Sequence, residues 1–383
     1  MSTRNAFAAI LGLLGARVFG RMLATAAGDP VAAYGEAPDS GARLAAVVPV
    51  LDEATRVGAC LEGLCAQPAS LADIVVVDGG SQDETREIVR TFAARDTRVR
   101  LVDAAPVPAG WNGKAWNLAC GLAASPPDAA WLVCVDADVR PGPHFATSLL
   151  AHAEHGYLDA FGAAPLLDVS GPVEAALHPA FLATLVYRFG LPGYVARSPQ
   201  SVQANGQCFV ARRALLVRTR AFAAARASRC DDYTVARTLV RAGAQVGFFE
   251  GGALARVRMY ESARECWRNW PRSLALRDDA TSPLDLALAF TDVAATQALP
   301  LVLVAADVVR RRKADALFGV ALALVLARFG VLAGTRRAYA NPGSAFWLAP
   351  LLDLVAVVRI VVAACDPAPV WRGRRLVPEG SRA

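Results

Sequence analysis

Charged residues are scarce in this 383-residue chain. They make up 19% of it, against roughly 25% in an average soluble domain, while hydrophobic residues make up 55%. This composition favours association with a membrane. The net charge is +6, but the arginines are spread along the chain and no repeat alternates aromatic with basic residues. The pattern predicts the anionic face of a membrane as a partner, and no nucleic acid.

The sequence also lacks the cysteine and histidine patterns of zinc sites. Its eight cysteines stand singly, without a C-x-x-C pair, and no histidine cluster lies near them at zinc-ligand spacing. We therefore expect the cysteines to be small buried hydrophobic residues in a reducing compartment.

A long apolar segment begins near the start of the chain. Residues 6–27 are apolar apart from Arg17 and Arg21. Two arginines inside such a segment are poor features for a cleavable signal peptide. The segment predicts an N-terminal anchor over residues 1–30, which either spans the membrane or lies in its interface.

The composition becomes apolar again from residue 284. Segments 314–334 and 344–365 are long enough to cross a hydrocarbon core, whereas segment 284–309 carries three aspartates. The basic residues 310–313 and 371–375 are both expected to face the cytoplasm. Two basic ends on one side require an even number of crossings, so the last two segments are predicted to cross. If the chain between the two apolar ends also lies in the cytoplasm, segment 284–309 is then re-entrant or interfacial.

This topology predicts interfacial and transmembrane helices over residues 276–368 and a basic cytoplasmic tail over residues 369–383. It also places residue 340 on the far side of the membrane. Charged residues inside the apolar segments each cost about 2.5–3.5 kcal/mol on insertion scales. They are therefore expected to pair within the bundle or to face the domain: Arg328, Asp353 and Arg359.

Strand and helix patterns alternate between the two apolar ends. The runs "RLAAVVPV", "ADIVVVDGG", "RVRLVDA" and "AAWLVCVDADV" are short, apolar and end at turn residues. Such alternation predicts an α/β domain with a mostly parallel sheet over residues 42–275. Ligands of these sheets bind beyond the carboxyl ends of the strands. The side chains just after the strands are therefore the first site candidates: Asp52, Glu53, Asp78, Asp136 and Asp138.

Two of these carboxylates, Asp136 and Asp138, follow the run "WLVCV" with one alanine between them. Because side chains alternate faces along a strand, residues two apart point the same way. Two carboxylates on one side repel each other unless a cation lies between them. Mg²⁺ and Mn²⁺ prefer oxygen ligands and bridge to substrate phosphates, so the pattern predicts one of these metals here.

Other residues indicate a bound nucleotide. Asp78 ends a strand and precedes two glycines, which let a ligand approach the backbone closely. Asp52 and Glu53 either contact the nucleotide or cap the next helix. Lys114 stands in a Gly-rich turn before a helix, where a lysine and backbone amides favour phosphate; the alternative is a solvated loop lysine.

Several motifs together resemble the family 2 glycosyltransferases, whose nucleotide-sugar domain has a GT-A fold. They run in family order between about residues 44 and 275: "VVPVLDEA", "VVVDGGSQDET", "GWNGKAW", "VDADV", "NGQCFVARR" and "DDYTVARTLVRAG". "VRMYESARECWRNWPRSL" and "WRGRR" look like the closing motifs of membrane-bound members that act on lipids of the carotenoid and hopanoid type. The resemblance implies that Asp78 contacts uracil, that Asp136 faces the ribose and diphosphate, and that Asp138 ligates the metal.

The resemblance also implies an acceptor side. Asp232 aligns with the family's general base, which deprotonates the acceptor hydroxyl, and Asp231 stands where the family has glutamate. The alternative is that both acids simply begin a helix. Gln207 is expected on the acceptor side or in a structural segment under it. Trp270 and Arg272, in "RNWPRSL", are the counterparts of the Q-x-x-R-W motif that the sequence lacks.

These features predict an inverting, metal-dependent transfer of a sugar from a nucleotide sugar, expected to be a UDP-sugar. The acceptor is a hydroxyl or carboxyl of an isoprenoid-type membrane lipid, and the catalytic domain lies on the cytoplasmic side of the inner membrane. The missing Q-x-x-R-W motif disfavours a polysaccharide synthase. A non-catalytic scaffold that binds nucleotide sugar or lipid remains an alternative. A nucleotidyltransferase would need a longer basic Gly-rich loop than "VPVLDEATR".

Overall fold

One mixed sheet forms the centre of the protein in a computed structural model that describes residues 2–26, 28–274 and 281–365 and the backbone of 370–371 and 374–375. Its order is β3-β2-β1-β4-β8-β6-β9-β5, with β7 paired to β9. Parallel pairing predominates and joins β3, β2, β1 and β4, which confirms the predicted α/β fold. The strands are β1 (Leu44–Val50), β2 (Leu71–Asp78), β3 (Val99–Asp103), β4 (Trp131–Val135), β5 (Val139–Pro141), β6 (Ala160–Leu167), β7 (Tyr194–Val195), β8 (Cys208–Arg212) and β9 (Val246–Val257).

Helices cover both faces of this sheet and continue beyond it. Those of the described residues are α1 (Thr3–Thr25), α2 (Val57–Cys65), α3 (Thr85–Ala93), α4 (Gly113–Ala124), α5 (Phe145–His155), α6 (Gly171–Phe189), α7 (Arg213–Thr219), α8 (Ala221–Ala224), α9 (Asp231–Arg241), α10 (Ala263–Leu274), α11 (Pro283–Val293), α12 (Leu299–Val309), α13 (Ala316–Thr335) and α14 (Ala349–Cys365). A π-helical turn, Ala294–Ala298, joins α11 and α12 into one helix.

The core lies in two layers because the strands are buried on both faces. In β1, Leu44, Ala46 and Val48 pack on the side of α2, α5 and α6, whereas Ala45 and Val47 pack on the side of α4 and α9. This alternation follows from the period of two along a strand. All eight cysteines are free and most are buried, as expected from their apolar contexts.

Three long helices, α1, α11–α12 and α13, share a common end. Arg4, in the first turn of α1, forms ion pairs with Asp307 near the end of α12 (2.5 Å) and with Asp315, which caps α13. At the other end of α1, the Thr25 hydroxyl accepts a hydrogen bond from Leu191 N of the catalytic domain (2.7 Å). The basic residues 310–313 therefore lie at the end of this bundle that points away from the catalytic domain.

The structure differs from the expected topology at two places. Pro283–Val309 is one apolar helix of 27 residues, long enough to cross a membrane, and it does not turn back on itself, which excludes the re-entrant alternative and leaves the interfacial one a prediction. The segment around residue 340 lies against the catalytic domain, because Ala340 N donates to Leu167 O (3.0 Å) and Arg337 pairs with Glu250 (3.0 Å). Hydropathy and the positions of the basic residues predict this segment on the far side of the membrane.

The charged residues inside the apolar helices are paired, as expected. Arg328 of α13 binds Asp353 of α14 at 2.7 Å, and both side chains are buried. Arg17 and Arg21 of α1 pair with Asp292 of α11. These pairs satisfy charges that would be costly in hydrocarbon.

Arg359 faces the catalytic domain instead. Its guanidinium donates to Arg268 O (3.4 Å) and lies 5.8 Å from the Trp267 ring centroid. Of the predicted tail, residues 369–383, only a short antiparallel backbone pairing of Val370–Trp371 with Arg374–Arg375 is described. The rest of the tail lies outside the described residues, and the predicted domain boundaries stay predictions.

Candidate active site

The carboxyl ends of β1, β2 and β4 meet at one edge of the sheet. Parallel pairing brings Val50 at the end of β1 opposite Asp78 at the end of β2, and β4 lies on the other side of β1. Asp136 follows directly after β4. Its backbone amide donates a hydrogen bond to Gln207 O, just before the neighbouring strand β8 (3.3 Å). The sheet thus gathers the carboxylates that the sequence predicted for this edge.

Asp138 lines this site with one carboxylate oxygen fully buried. Its Oδ1 is buried and accepts no hydrogen bond from any described residue. Burial, followed by the charges of Asp136 and Glu53, raises the pKa of Asp138 to about 7. A buried carboxylate oxygen without a donor is where a cation would be held, because it otherwise loses its hydration without compensation.

The donor set fits a hard divalent ion that is completed by its substrate. Among the described residues, no group of three or more His, Cys, Asp or Glu side chains could hold a metal by itself. Mg²⁺ is commonly bound by one or two carboxylates together with substrate phosphates and water, and Mn²⁺ shares these oxygen ligands. Asp138 is the residue that would hold it, with Asp136 beside it in the same cavity wall.

Lys114 neutralises part of this cluster. Its Nζ lies 2.6 Å from Asp136 Oδ1, at the beginning of α4, where Asn112 caps the helix by accepting from Lys114 N (2.9 Å). Burial alone would lower the pKa of Lys114, but Asp136, Asp231 and Asp232 raise it above its ordinary value. The lysine is therefore charged and paired inside the site, which corrects the alternative of a solvated loop lysine.

The two acids at the start of α9 face the same lysine. Asp232 Oδ2 accepts from Gly206 N (3.0 Å), and its Oδ1 accepts from Tyr233 N (2.9 Å). Burial, followed by the charge of Asp231, raises the pKa of Asp232 to about 7. Burial also raises the pKa of Asp231. Both acids do begin a helix, but a carboxylate that is half protonated near neutral pH is also suited to general-base catalysis.

Gly206 is a site residue that the sequence analysis missed. A Cβ at this position would lie 2.8 Å from Lys114 Nζ and 3.6 Å from Asp232 Cβ. The absence of a side chain lets the loop before β8 approach the lysine and the acid together. The motif "NGQCF" contains this glycine, but nothing in the motif indicates what it approaches.

Asp78 lies at the predicted strand end but is turned into its own loop. It is fully buried, and its carboxylate accepts from Ser81 N (3.1 Å) and Gly80 N (3.1 Å) and pairs with Arg86 at 2.5 Å. Asp52, with φ of +54°, likewise accepts from Gln82 N (2.8 Å). These contacts shape the turns after β1 and β2.

Glu53 contributes to the same edge through an ion pair. Its carboxylate lies 3.3 Å from Arg56, which also reaches Glu265 of α10 at 3.6 Å. Arg56 and Glu265 line the site and were not predicted, because neither lies at a strand end. They connect the loop after β1 to α10.

A cavity of about 730 Å³ extends from these carboxylates towards the apolar helices. Lys114, Asp136, Asp138 and Asp232 line one part of it, whereas Asp52, Glu53 and Asp78 do not line it. The apolar part is formed by α6, the loop after it and the ends of α13 and α14: Leu182, Leu185, Val186, Leu191, Gly334, Ala338 and Ala363.

The three residues predicted for the acceptor side also line this cavity. Gln207 is held by Asn205, whose amide nitrogen donates to Gln207 Oε1 (2.8 Å). Trp270 is buried and lies 3.9 Å, centroid to centroid, from the ring of His178. Arg272 donates to Asn269. Their role beside the acceptor stays a prediction.

Residues 45–218, which include the ends of β1, β2 and β4 with Asp136 and Asp138, match the family model described as Glycosyl transferase family 2. This segment belongs to glycosyltransferase family 2. The family 2 segment holds Asp78, Lys114, Asp136, Asp138 and Gln207. Asp232 lies beyond the matched residues.

Similarity in structure extends over more of the chain. The mannosyltransferase PcManGT from Pyrobaculum calidifontis, in complex with GDP-mannose and Mn²⁺, superposes with a TM-score of 0.52 and 19% identity. The superposition covers 94% of this chain and 98% of that one, and it confirms the GT-A fold predicted around the family 2 segment.

A short match links the chain to a curated relative. Over 58 residues, 15% of this chain, it is 45% identical to the succinoglycan biosynthesis protein ExoA of Rhizobium meliloti. The match covers 18% of that protein, so the chain spans less than a fifth of the relative's length.

Proposed function

We propose that the protein transfers a single sugar, with inversion, from a nucleotide sugar to a membrane lipid. The cavity that connects the carboxylate cluster with the apolar walls of α6, α13 and α14 is the observation that supports this most directly. A soluble acceptor would not need a reaction site that opens onto apolar helix ends. A lipid hydroxyl or carboxyl presented from the bilayer would.

The donor side of the proposal rests on Asp136, Asp138 and Lys114. A divalent metal bound at Asp138 would neutralise the diphosphate of the departing nucleotide. Lys114, at the beginning of α4, would hold phosphate oxygens beside it. PcManGT holds GDP-mannose and Mn²⁺ on the same fold. We retain a UDP-sugar as the expected donor and include GDP-sugars in the test.

The acceptor side rests on Asp232. Its carboxylate would take the proton of the attacking hydroxyl, a contribution typically worth 10²–10⁴-fold in rate. One base without an enzyme nucleophile gives a single displacement, hence inversion. Asp232 needs no movement for this role, because hydrogen bonds from Gly206 N and Tyr233 N already hold both of its carboxylate oxygens.

Transfer to lipid is tested with purified protein in detergent, Mn²⁺, radiolabelled UDP- and GDP-sugars and an extract of membrane lipids. The proposal predicts label in the organic phase, lost in Asp138→Asn and Asp232→Asn but kept in the exposed control Asp39→Asn. Water-soluble polymer as the labelled product would favour a polysaccharide synthase, a reading to which the short match with a succinoglycan biosynthesis protein gives some weight. Nucleotide binding without any transfer would favour a scaffold.

A further inference from the structure

The last apolar helix, α14, differs from the other three in what its ends touch. Phe346, just before α14, is fully buried and packs on Tyr339, which lies against β6 of the catalytic domain. Near the other end, Arg359 reaches Arg268 of α10, and Ala363 lines the cavity. Both ends of α14 therefore remain on the catalytic domain.

Between its ends α14 lies along α6. Ala349, Ala356 and Ile360 belong to the same core cluster as Leu177 and Phe181 of α6. In the middle of the helix, Asp353 accepts from Gln297, whose amide nitrogen also donates to Ala180 O of α6 (2.9 Å). A helix that crossed the membrane would leave the domain after its first turns.

The helix α13 leaves the catalytic domain over its length. Its last turns contribute Leu332 to the domain core, whereas Leu317 and Leu324 pack with Ala8 and Leu11 of α1 in a cluster that contains no residue of the catalytic domain. With 20 residues, α13 is about 30 Å long, and the twelve residues before Arg328, which pairs with Asp353 of α14, account for about 18 Å of this length. Both α1 and α11–α12 accompany it to the Arg4 end.

The outward side of α14 is a continuous apolar stripe. The exposed residues recur with the helical period and include no charge: Leu351, Leu354, Val355, Val358, Val361 and Val362. Trp347, 41% exposed, stands before the first turn, and tryptophan is enriched at membrane–water interfaces. Leu284 and Leu288 of α11 are also exposed apolar residues.

We propose that α1, α11–α12 and α13 cross the membrane and that α14 lies flat in the interface, with its apolar stripe in the acyl region of the leaflet next to the catalytic domain. The lipid surface, and no protein partner, is the occupant of the stripe. This arrangement does not depend on the reaction catalysed. It puts Ala363 and the cavity at the depth where lipid headgroups lie.

Depth measurements distinguish a flat helix from a crossing one. Nitroxide labels are placed at single cysteines on exposed positions of α14 (351, 354, 358, 362) and of α13 (322, 326, 329, 333), with Cys65, Cys120 and Cys365 changed to serine. The protein is reconstituted in phosphatidylcholine–phosphatidylglycerol vesicles. Power saturation with oxygen and with a water-soluble nickel complex gives the depth of each label.

The proposal predicts one shallow depth for all four α14 labels and a graded depth along α13. The first and last labels of each series are eleven residue steps apart, about 16 Å along a helix at 1.5 Å per step. A change of that size along α14 would show that it crosses and would overturn the proposal, as would a uniform depth along α13. Labels on α14 that respond to the nickel complex alone lie in water. Labels that respond to neither reagent are covered by a second copy, and both results also contradict the lipid occupant.

Discussion

The amide of Gly206 donates a 3.0 Å hydrogen bond to Asp232 Oδ2, and a Cβ added to the same glycine would lie 2.8 Å from Lys114 Nζ. One residue without a side chain therefore sets the distance between the proposed base and the lysine of the donor site. Any side chain at 206 must displace the ammonium group, which is held by Asp136 at 2.6 Å.

Gly206→Ala is therefore expected to lower kcat by about 10- to 100-fold, because small misplacements at a reacting centre carry costs of this size. The lipid-transfer assay measures it, and the thermal midpoint should change little because the lysine end can move. Gly35→Ala is the matched control, since its added carbon meets only His144 at 3.9 Å. Unchanged transfer in Gly206→Ala would mean that the geometry of Lys114 does not matter for the reaction.

The rate should depend on pH through Asp232. Its pKa is raised to about 7, and a general base must be deprotonated, so kcat/KM should fall as the pH is lowered through about 7. Asp232→Asn should lose this dependence together with most of the rate. Because the charge of Asp231 helps to raise the pKa of Asp232, Asp231→Asn should move the falling limb to lower pH. A limb that stays in place would assign it to another group.

Replacing one member of the buried pair Arg328–Asp353 should lower the free energy of unfolding much more than replacing both. Removing one partner leaves an uncompensated buried charge, which typically costs about 3–5 kcal/mol, whereas replacing both with apolar residues is often neutral. Thermal unfolding in detergent should show a large loss for Arg328→Leu and for Asp353→Leu and a much smaller one for the double variant. The exposed pair Arg43–Asp128 is the control, where single changes should cost about 0–1 kcal/mol.

The two ends of the helix bundle should lie on opposite sides of the membrane. In sealed vesicles of one orientation, a membrane-impermeant maleimide should label either Lys313→Cys or Asn341→Cys, and the other only after permeabilisation. Both positions are exposed, so folding should tolerate the changes. Simultaneous labelling of both in intact vesicles would contradict the crossing of α13. Labelling of Lys313→Cys together with the exposed domain position Asp39→Cys, and not of Asn341→Cys, would return the topology to the one expected from hydropathy.

Local patterns were sufficient for the sheet edge and its acids. The common direction of parallel strands brings Asp78 and Asp136 to one edge, and the structure has them there. The strand period of two does not apply to Asp136 and Asp138, because both lie in the turn between β4 and β5. Arg56 and Glu265 could not be found this way, since their meeting depends on α10 folding back over the loop after β1.

The membrane helices show a different limit of sequence reasoning. Apart from Asp353, the inward side of α14 is apolar like its outward side, with Ala356, Val357 and Ile360 buried, so its hydropathy is that of a crossing helix. Length and apolar content do not show whether a helix is held along its side by another one. The contacts with α6 could only be seen in three dimensions.

The central claim is that Asp138 holds a metal that binds a nucleotide sugar's diphosphate, and calorimetric titration of UDP and of GDP tests it most directly. The protein is titrated in detergent with Mn²⁺, and again with EDTA. The account predicts binding of one nucleotide that requires the metal, is lost in Asp138→Asn and persists in Asp232→Asn. Nucleotide binding that is unaffected by EDTA and by Asp138→Asn, or no binding of either nucleotide, would contradict it.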